Sequence, residues 1–159
     1  MPTESARLKD HPGVPIAPPL LFLLPILAAI PLEWLCPTFL AAGAVRWISG
    51  GLFVVLGIAL DIAGFVTQRR AGTDPIPYRP TTRIISHGVY RFTRNPMYVG
   101  FALCTLGLAI LFDSLWILAA VPIGLVLTNL LIVAREERYL ERKFGDEYRD
   151  YQRRVRRWL

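Results

Sequence analysis

The sequence predicts an all-α integral membrane protein. About four transmembrane helices are expected, with a cytoplasmic loop after the second and an amphipathic helix at the C-terminus. Three observations predict this. Of 159 residues, 53% are hydrophobic and 19% charged, with a mean hydropathy of +0.41. The apolar residues gather in runs near the ~20 that a helix needs to cross the hydrocarbon core. The basic residues behind the net charge of +6 gather between and after those runs. So apolar a chain is not disordered, and its two cysteines exclude a disulfide scaffold. The length allows one ordinary domain. A single membrane domain over 1–159 is expected: two spans within 15–66, a loop over 67–95, a helical hairpin over 96–134 and a tail over 135–159.

The first span is read from Pro15 to Cys36. Arg7 and Lys9 precede it, as basic residues precede a secretory signal, but its length and its prolines (15, 18, 19, 25 and 31) favour a kinked span. Glu33, near its outer end, is expected to be solvated. The second runs from Trp47 to Val66 and contains Asp61. An acid inside a membrane helix is costly, so Asp61 either serves a site or pairs with Arg69 or Arg70. The third, Met97 to Phe112, is short at about 16 residues and has to sit upright or thin the bilayer. Asp113-Ser114 is a turn, and the fourth span runs from Leu115 to Ala134.

The cations orient these segments. Arg46 alone lies between the first two, and none lies at the Asp113-Ser114 turn. All others fall before the first segment, in 67–95 or in the tail. By the positive-inside rule both termini and the long loop are cytoplasmic, at an inner or plasma membrane. A pI near 9.8 then reports topology and contact with anionic lipid, with no nucleic-acid partner expected. Cys36 and Cys104 are expected to pack, and no Cys/His spacing suits a metal. His11 and His87 lie far apart in the chain. The oligomeric state is not specified.

Two stretches are more polar than connectors require. In 67–95, Asp74-Pro75-Ile76-Pro77-Tyr78-Arg79-Pro80 cannot be helical. Downstream, Pro96 suits a first helical turn and Asn95 its N-cap. The free amides of that helix start, with Arg94 beside them, suit a carboxylate or phosphate; an interfacial anchor fits equally well. The second stretch is Arg135-Glu136-Glu137. A hairpin turning at Asp113-Ser114 brings it back to Arg94, Asn95, Pro96 and Tyr98. A cleft with an arginine on one wall and carboxylates on the other suits a zwitterion; a solvated first turn of the tail is the alternative. In the tail, Leu140, Phe144, Tyr148, Tyr151 and Val155 form one helical stripe, broken at Gly145-Asp146. That helix either lies in the interface or folds over the hairpin as a lid.

Gly88-Val89-Tyr90, Arg94-Asn95-Pro96-Met97-Tyr98-Val99-Gly100, Glu136-Glu137 and Phe144-Gly145-Asp146-Glu147-Tyr148 with Tyr151 resemble the membrane methyltransferases typified by isoprenylcysteine carboxyl methyltransferase. Phospholipid methyltransferases share the scheme. The resemblance covers Gly72 to the C-terminus. It implies S-adenosylmethionine as cofactor, in a cleft closed by the C-terminal helix and held by Ile85, His87, Gly88, Val89, Tyr90, Arg94, Asn95, Pro96, Tyr98, Gly100, Glu136 and Glu137. It makes Glu137, Arg94 and Asn95 the candidate catalytic residues. Many relatives carry His where Asn95 stands, and Asn cannot titrate near neutral pH. The implied acceptor is a membrane lipid or lipidated molecule, methylated on a carboxylate, with the first two segments shaping its tunnel. A phospholipid amine N-methyltransferase is the alternative within the class. Nicotinamide-dependent sterol reductases share a related C-terminal pattern, and a non-catalytic membrane protein is the reading outside enzymes.

Overall fold

The computed structural model describes residues 12–40, 43–74 and 80–159. Arg7, Lys9, His11 and the Pro75–Arg79 part of the loop lie outside them. The described residues are helical and contain no strand. Helix α1 spans Leu20–Leu35, α2 Gly43–Arg70, α3 Pro96–Leu111 and α4 Leu115–Thr128. A π-helical turn, Asn129–Val133, carries α4 without a break into α5, Ala134–Phe144; α6 is Asp146–Arg154. Two continuous helices, Gly43–Arg70 and Leu115–Phe144, are long and apolar enough to cross a membrane. Two shorter apolar helices, α1 and α3, accompany them. Large apolar side chains such as Leu24, Ile48, Val55 and Ile62 face outward from α1 and α2, as lipid-facing surfaces do.

The first helix begins later than the apolar run suggested. Pro15 and Pro18 stand outside it, Pro19 is its N-cap, and Pro25 and Pro31 lie within it. The helices pack in the order α2, α3, α4, α1. The α2–α3 contact rests on glycine. Gly50, Gly57 and Gly64 recur every seventh residue and are buried. A Cβ on Gly57 would sit 2.7 Å from the Gly100 carbonyl oxygen and 2.8 Å from the Cys104 amide nitrogen. The two backbones touch where α2 offers hydrogen and nothing else.

The hairpin turn is where the sequence placed it. Asp113 takes a positive φ of 57°, and Ser114 caps α4 by accepting the Ile117 amide at 3.2 Å. Glu33 is not simply solvated. Its carboxylate accepts from Ser114 Oγ and from Thr38 Oγ1 at 3.0 Å. Thr38 Oγ1 in turn accepts the Leu115 amide at 2.8 Å, and Asp113 pairs with Arg46 at 3.6 Å. This polar knot ties the end of α1 to the start of α4. Asp61 finds neither Arg69 nor Arg70. Its Oδ1 is buried without a hydrogen-bond partner among the described residues, against the space a Cβ on Gly100 would fill.

Candidate functional site

The start of α3 and the start of α5 meet at one end of the hairpin, as antiparallel α3 and α4 require. Tyr98 Oη donates to the Glu136 carboxylate, 3.1 Å from each oxygen. Arg94 Nη2 lies 3.1 Å from Glu137 Oε1, with each side chain only 11% exposed. The opposed walls expected from the sequence therefore touch. A third group completes the contact. Arg157 donates Nε to Glu137 Oε1 at 3.1 Å and Nη2 to Glu137 Oε2 at 2.5 Å, and Nη1 to Asn129 Oδ1 at 3.3 Å. Glu137 is neutralised by two guanidiniums. Glu136 has the Tyr98 hydroxyl and no cation among the described residues.

Burial pushes the Glu136 carboxyl up to about 7. Tyr98 opposes that rise and the neighbouring Glu137 adds to it. Glu136 lies beyond the apolar run that ends at Ala134, and an uncompensated carboxylate there is costly to ionise. Burial likewise raises the phenols of Tyr90, Tyr148 and Tyr151, so they stay neutral.

The tail occupies the start of α3. Arg94 N donates to the Arg156 carbonyl at 3.0 Å. Thr93 Oγ1 and Asn95 Nδ2 donate to the Arg157 carbonyl at 3.1 and 2.8 Å. Asn95 caps nothing with its side chain; it holds the tail. The helix start expected to present amides to an anion is instead crossed by tail carbonyls. Trp158 packs beside Tyr98, Ile132 and Val133. The predicted tail stripe is a lid: Tyr148, Tyr151 and Val155 form a buried cluster with Ile84, Leu140 and Phe144. Tyr151 Oη donates to the Tyr90 carbonyl at 2.7 Å, closing the lid on the loop.

Among the described residues, this arrangement leaves a polar cavity and an apolar groove. The polar cavity holds ≈ 930 Å³ of empty space, partly open to solvent. Of the residues selected from sequence, Ile85, Tyr90, Arg94, Asn95, Pro96, Tyr98, Glu136 and Glu137 line it. His87, Gly88, Val89 and Gly100 do not. His87 is exposed. Gly88, at φ +61°, begins the 3-10 turn Gly88–Arg91 that turns Tyr90 inward. Val89 packs against Ala71, Ile85 and Tyr90. Gly100 belongs to the α2–α3 contact. Gln68, whose Nε2 donates to Tyr90 Oη, Thr73, Arg83 and Tyr139 also line the cavity.

The second cavity is an apolar groove of ≈ 1650 Å³ between α3 and α4. Val99, Leu103, Leu106, Val121 and Leu125 form its walls; Arg94, Asn129 and Arg157 form its head. The apolar space thus lies between α3 and α4, and the first two segments do not line it. Arg94 borders both cavities, and its buried Nε and Nη1 have no partner among the described residues.

A family model, phospholipid methyltransferase, matches residues 45–147. The chain belongs to the phospholipid methyltransferase family. That span includes all but the first two residues of α2, the loop, the hairpin and both glutamates. A probable protein-S-isoprenylcysteine O-methyltransferase of Oryza sativa subsp. indica is 32% identical over 110 residues, 67% of this chain and 56% of the relative. Protein-S-isoprenylcysteine O-methyltransferase A of Arabidopsis thaliana is 28% identical over 128 residues, 76% of this chain and 64% of the relative. Methanethiol S-methyltransferase 1 of Bradyrhizobium diazoefficiens is 33% identical over 90 residues, 57% of this chain and 29% of the relative. The chain spans less than two thirds of the length of each of these. No solved structure matches it.

A methyltransferase needs a methyl donor, and S-adenosylmethionine is the one implied by this family. The cavity fits its chemistry. Glu136 is a carboxyl group with no cation partner among the described residues, and Tyr90, Tyr98, Tyr139, Tyr148 and Tyr151 line the same space. Aromatic faces and a carboxylate suit a sulfonium and an ammonium.

Proposed function

We propose that this chain transfers a methyl group from S-adenosylmethionine to the carboxylate of an amphiphilic, lipid-like or prenylated acceptor. The transfer takes place at the cytoplasmic interface of a four-span membrane domain with both termini cytoplasmic. One observation carries the reading: the polar cavity and the apolar groove meet at Arg94, and two arginines head the groove.

Glu136 would hold the cofactor's ammonium, and the tyrosines would surround its sulfonium. Arg83, at the exposed rim of the same cavity, would pair with its carboxylate. When bound, the cofactor supplies a methyl carbon already activated by positive sulfur. The chain's own contribution is position and dryness. The α3–α4 groove receives the acceptor's apolar chain. Arg94 and Arg157 draw its anionic head to the junction with the polar cavity. The α6 lid and Trp158 keep water from that junction. A carboxylate needs no base before it attacks, which agrees with a non-titrating Asn95.

The family model's description favours a second reading, methylation of a phospholipid amine. Against it, the two guanidiniums outnumber the one carboxylate they share, Glu137, so the groove head carries a net positive charge that disfavours an ammonium. The test is methyl transfer from radiolabelled cofactor, by the protein in nanodiscs, to N-acetyl-S-farnesylcysteine and to phosphatidylethanolamine. The reading expects label in the farnesylated carboxylate. Label in the phospholipid alone would establish the amine reading, and label in neither would sink the carboxylate one.

A further inference from the structure

Resting on the carboxylate reading above, we infer that Asn129 is a positioning residue that selects the acceptor's head group by fixing the Arg157 guanidinium. Nothing in the sequence pattern marks it. Asn129 opens the π-helical turn Asn129–Val133. Its Oδ1 accepts Arg157 Nη1, and its side chain borders the groove.

The π turn explains how Asn129 reaches this place. Residues eight apart on a regular α-helix point about 80° apart around its axis, at 3.6 residues per turn. A π turn takes up one extra residue, so Asn129 and Glu137 are phased as if seven apart, about 20° from alignment. Both then face one guanidinium. Glu136, the next residue back, points away from them to Tyr98. One irregular turn thus directs one glutamate to the polar cavity and aligns the other with the groove head.

The hydrogen-bond inventory gives Asn129 its role. Arginine has five N–H donors. Glu137 takes the Nε/Nη2 edge side-on, and Asn129 takes one proton of Nη1. One N–H on Nη1 and one on Nη2 remain, along the end of the fork. That edge suits a carboxylate held by two parallel hydrogen bonds. The Arg157 side chain keeps 41% of its surface exposed, so the edge can be reached. Glu137 holds one edge of the planar fork, and Asn129 stops the Nη1 end from tilting about that edge.

The test uses the full chain in nanodiscs, with N-acetyl-S-farnesylcysteine as the carboxylate probe and S-farnesylcysteamine as its amine counterpart. Asn129→Ala is expected to raise KM for the carboxylate probe about tenfold, the loss of one hydrogen bond to a charged group. Its kcat and its calorimetric affinity for S-adenosylmethionine should stay near native values. In an Arg157→Ala background the same change should add less than about twofold, because the two act as one unit. The amine probe should take no methyl from the native protein or from either variant. An unchanged carboxylate KM, or an Asn129→Ala effect that persists without Arg157, would overturn the inference. Asn129→Ser, judged by the same cycle, replaces the Ala variant if that one takes up no cofactor. If the native protein neither binds nor methylates the carboxylate probe, the acceptor reading fails and this inference with it. If the native protein methylates the carboxylate probe and neither Asn129 variant raises its KM, this inference fails while the acceptor reading stands.

Discussion

Arg157 and Glu137, twenty residues apart, meet edge to edge, Nε to Oε1 at 3.1 Å and Nη2 to Oε2 at 2.5 Å. Arg94 meets the same carboxylate from α3 at 3.1 Å. Glu137 is therefore the pin that joins hairpin, tail and groove head.

Replacing Glu137 by Ala leaves two guanidiniums facing each other, one of them buried. Breaking a buried pair on one side costs about 3–5 kcal/mol. Partial exposure of Arg157 places this case at the lower end. Thermal unfolding in detergent should show the loss, and methyl transfer should fall far below native. Glu137→Gln, which keeps one acceptor oxygen, should lose less stability. Equal stability of all three proteins would remove Glu137 as the pin.

Glu136 should govern cofactor affinity through its charge. Its carboxyl sits at about 7 because it is buried. Below that pH it is protonated and cannot pair with an ammonium; above it the carboxylate is present. A bound cation favours the ionised form, so affinity should rise as pH increases from 6 to 7.5. Glu136→Gln should bind more weakly and lose this slope. A native affinity flat over that range would contradict the assignment.

Gly57 should be intolerant of any side chain for a reason unrelated to chemistry. Gly57→Ala puts a Cβ 2.7 Å from the Gly100 carbonyl oxygen. Overpacking of this kind costs about 1–3 kcal/mol. Lower unfolding temperature with unchanged turnover per folded molecule is expected. A loss of turnover at full stability would mean that the α2–α3 contact reaches into the site.

Asn95 should act through the tail. Asn95→Ala removes the donor to the Arg157 carbonyl. Limited trypsin digestion should then cut faster within Arg153–Arg157, and transfer should drop. The pH profile near neutrality should keep its shape, since an amide does not titrate there. A changed profile would make position 95 part of the proton chemistry.

The hairpin site was legible in the sequence because apolar runs and a turn force distant residues together. That topology alone brings Arg94 and Tyr98 to Glu136 and Glu137; which pairs with which, Tyr98 with Glu136 and Arg94 with Glu137, comes from the structure. The lid was legible because its stripe is periodic. Other features leave no such trace. Arg157 is one of many tail cations, and its simplest meaning was orientation. Gln68 and Asn129 sit in apolar helices where a lone amide carries no pattern. The π turn that re-phases Asn129 is a backbone event without a sequence signal. Gly100 shows what a motif does not state: the resemblance implies a cofactor role for it, and the structure adds that its missing Cβ lets α2 approach. Glu33 was misread because its partners, Thr38 and Ser114, lie in two different connections.

The most direct measurement is calorimetric titration of S-adenosylmethionine into the folded protein in nanodiscs, native and Glu136→Gln side by side. Saturable binding at one site in the native protein, weakened at least about tenfold by the substitution, is the predicted result. No binding heat from native protein whose helicity and thermal transition are intact would contradict the account.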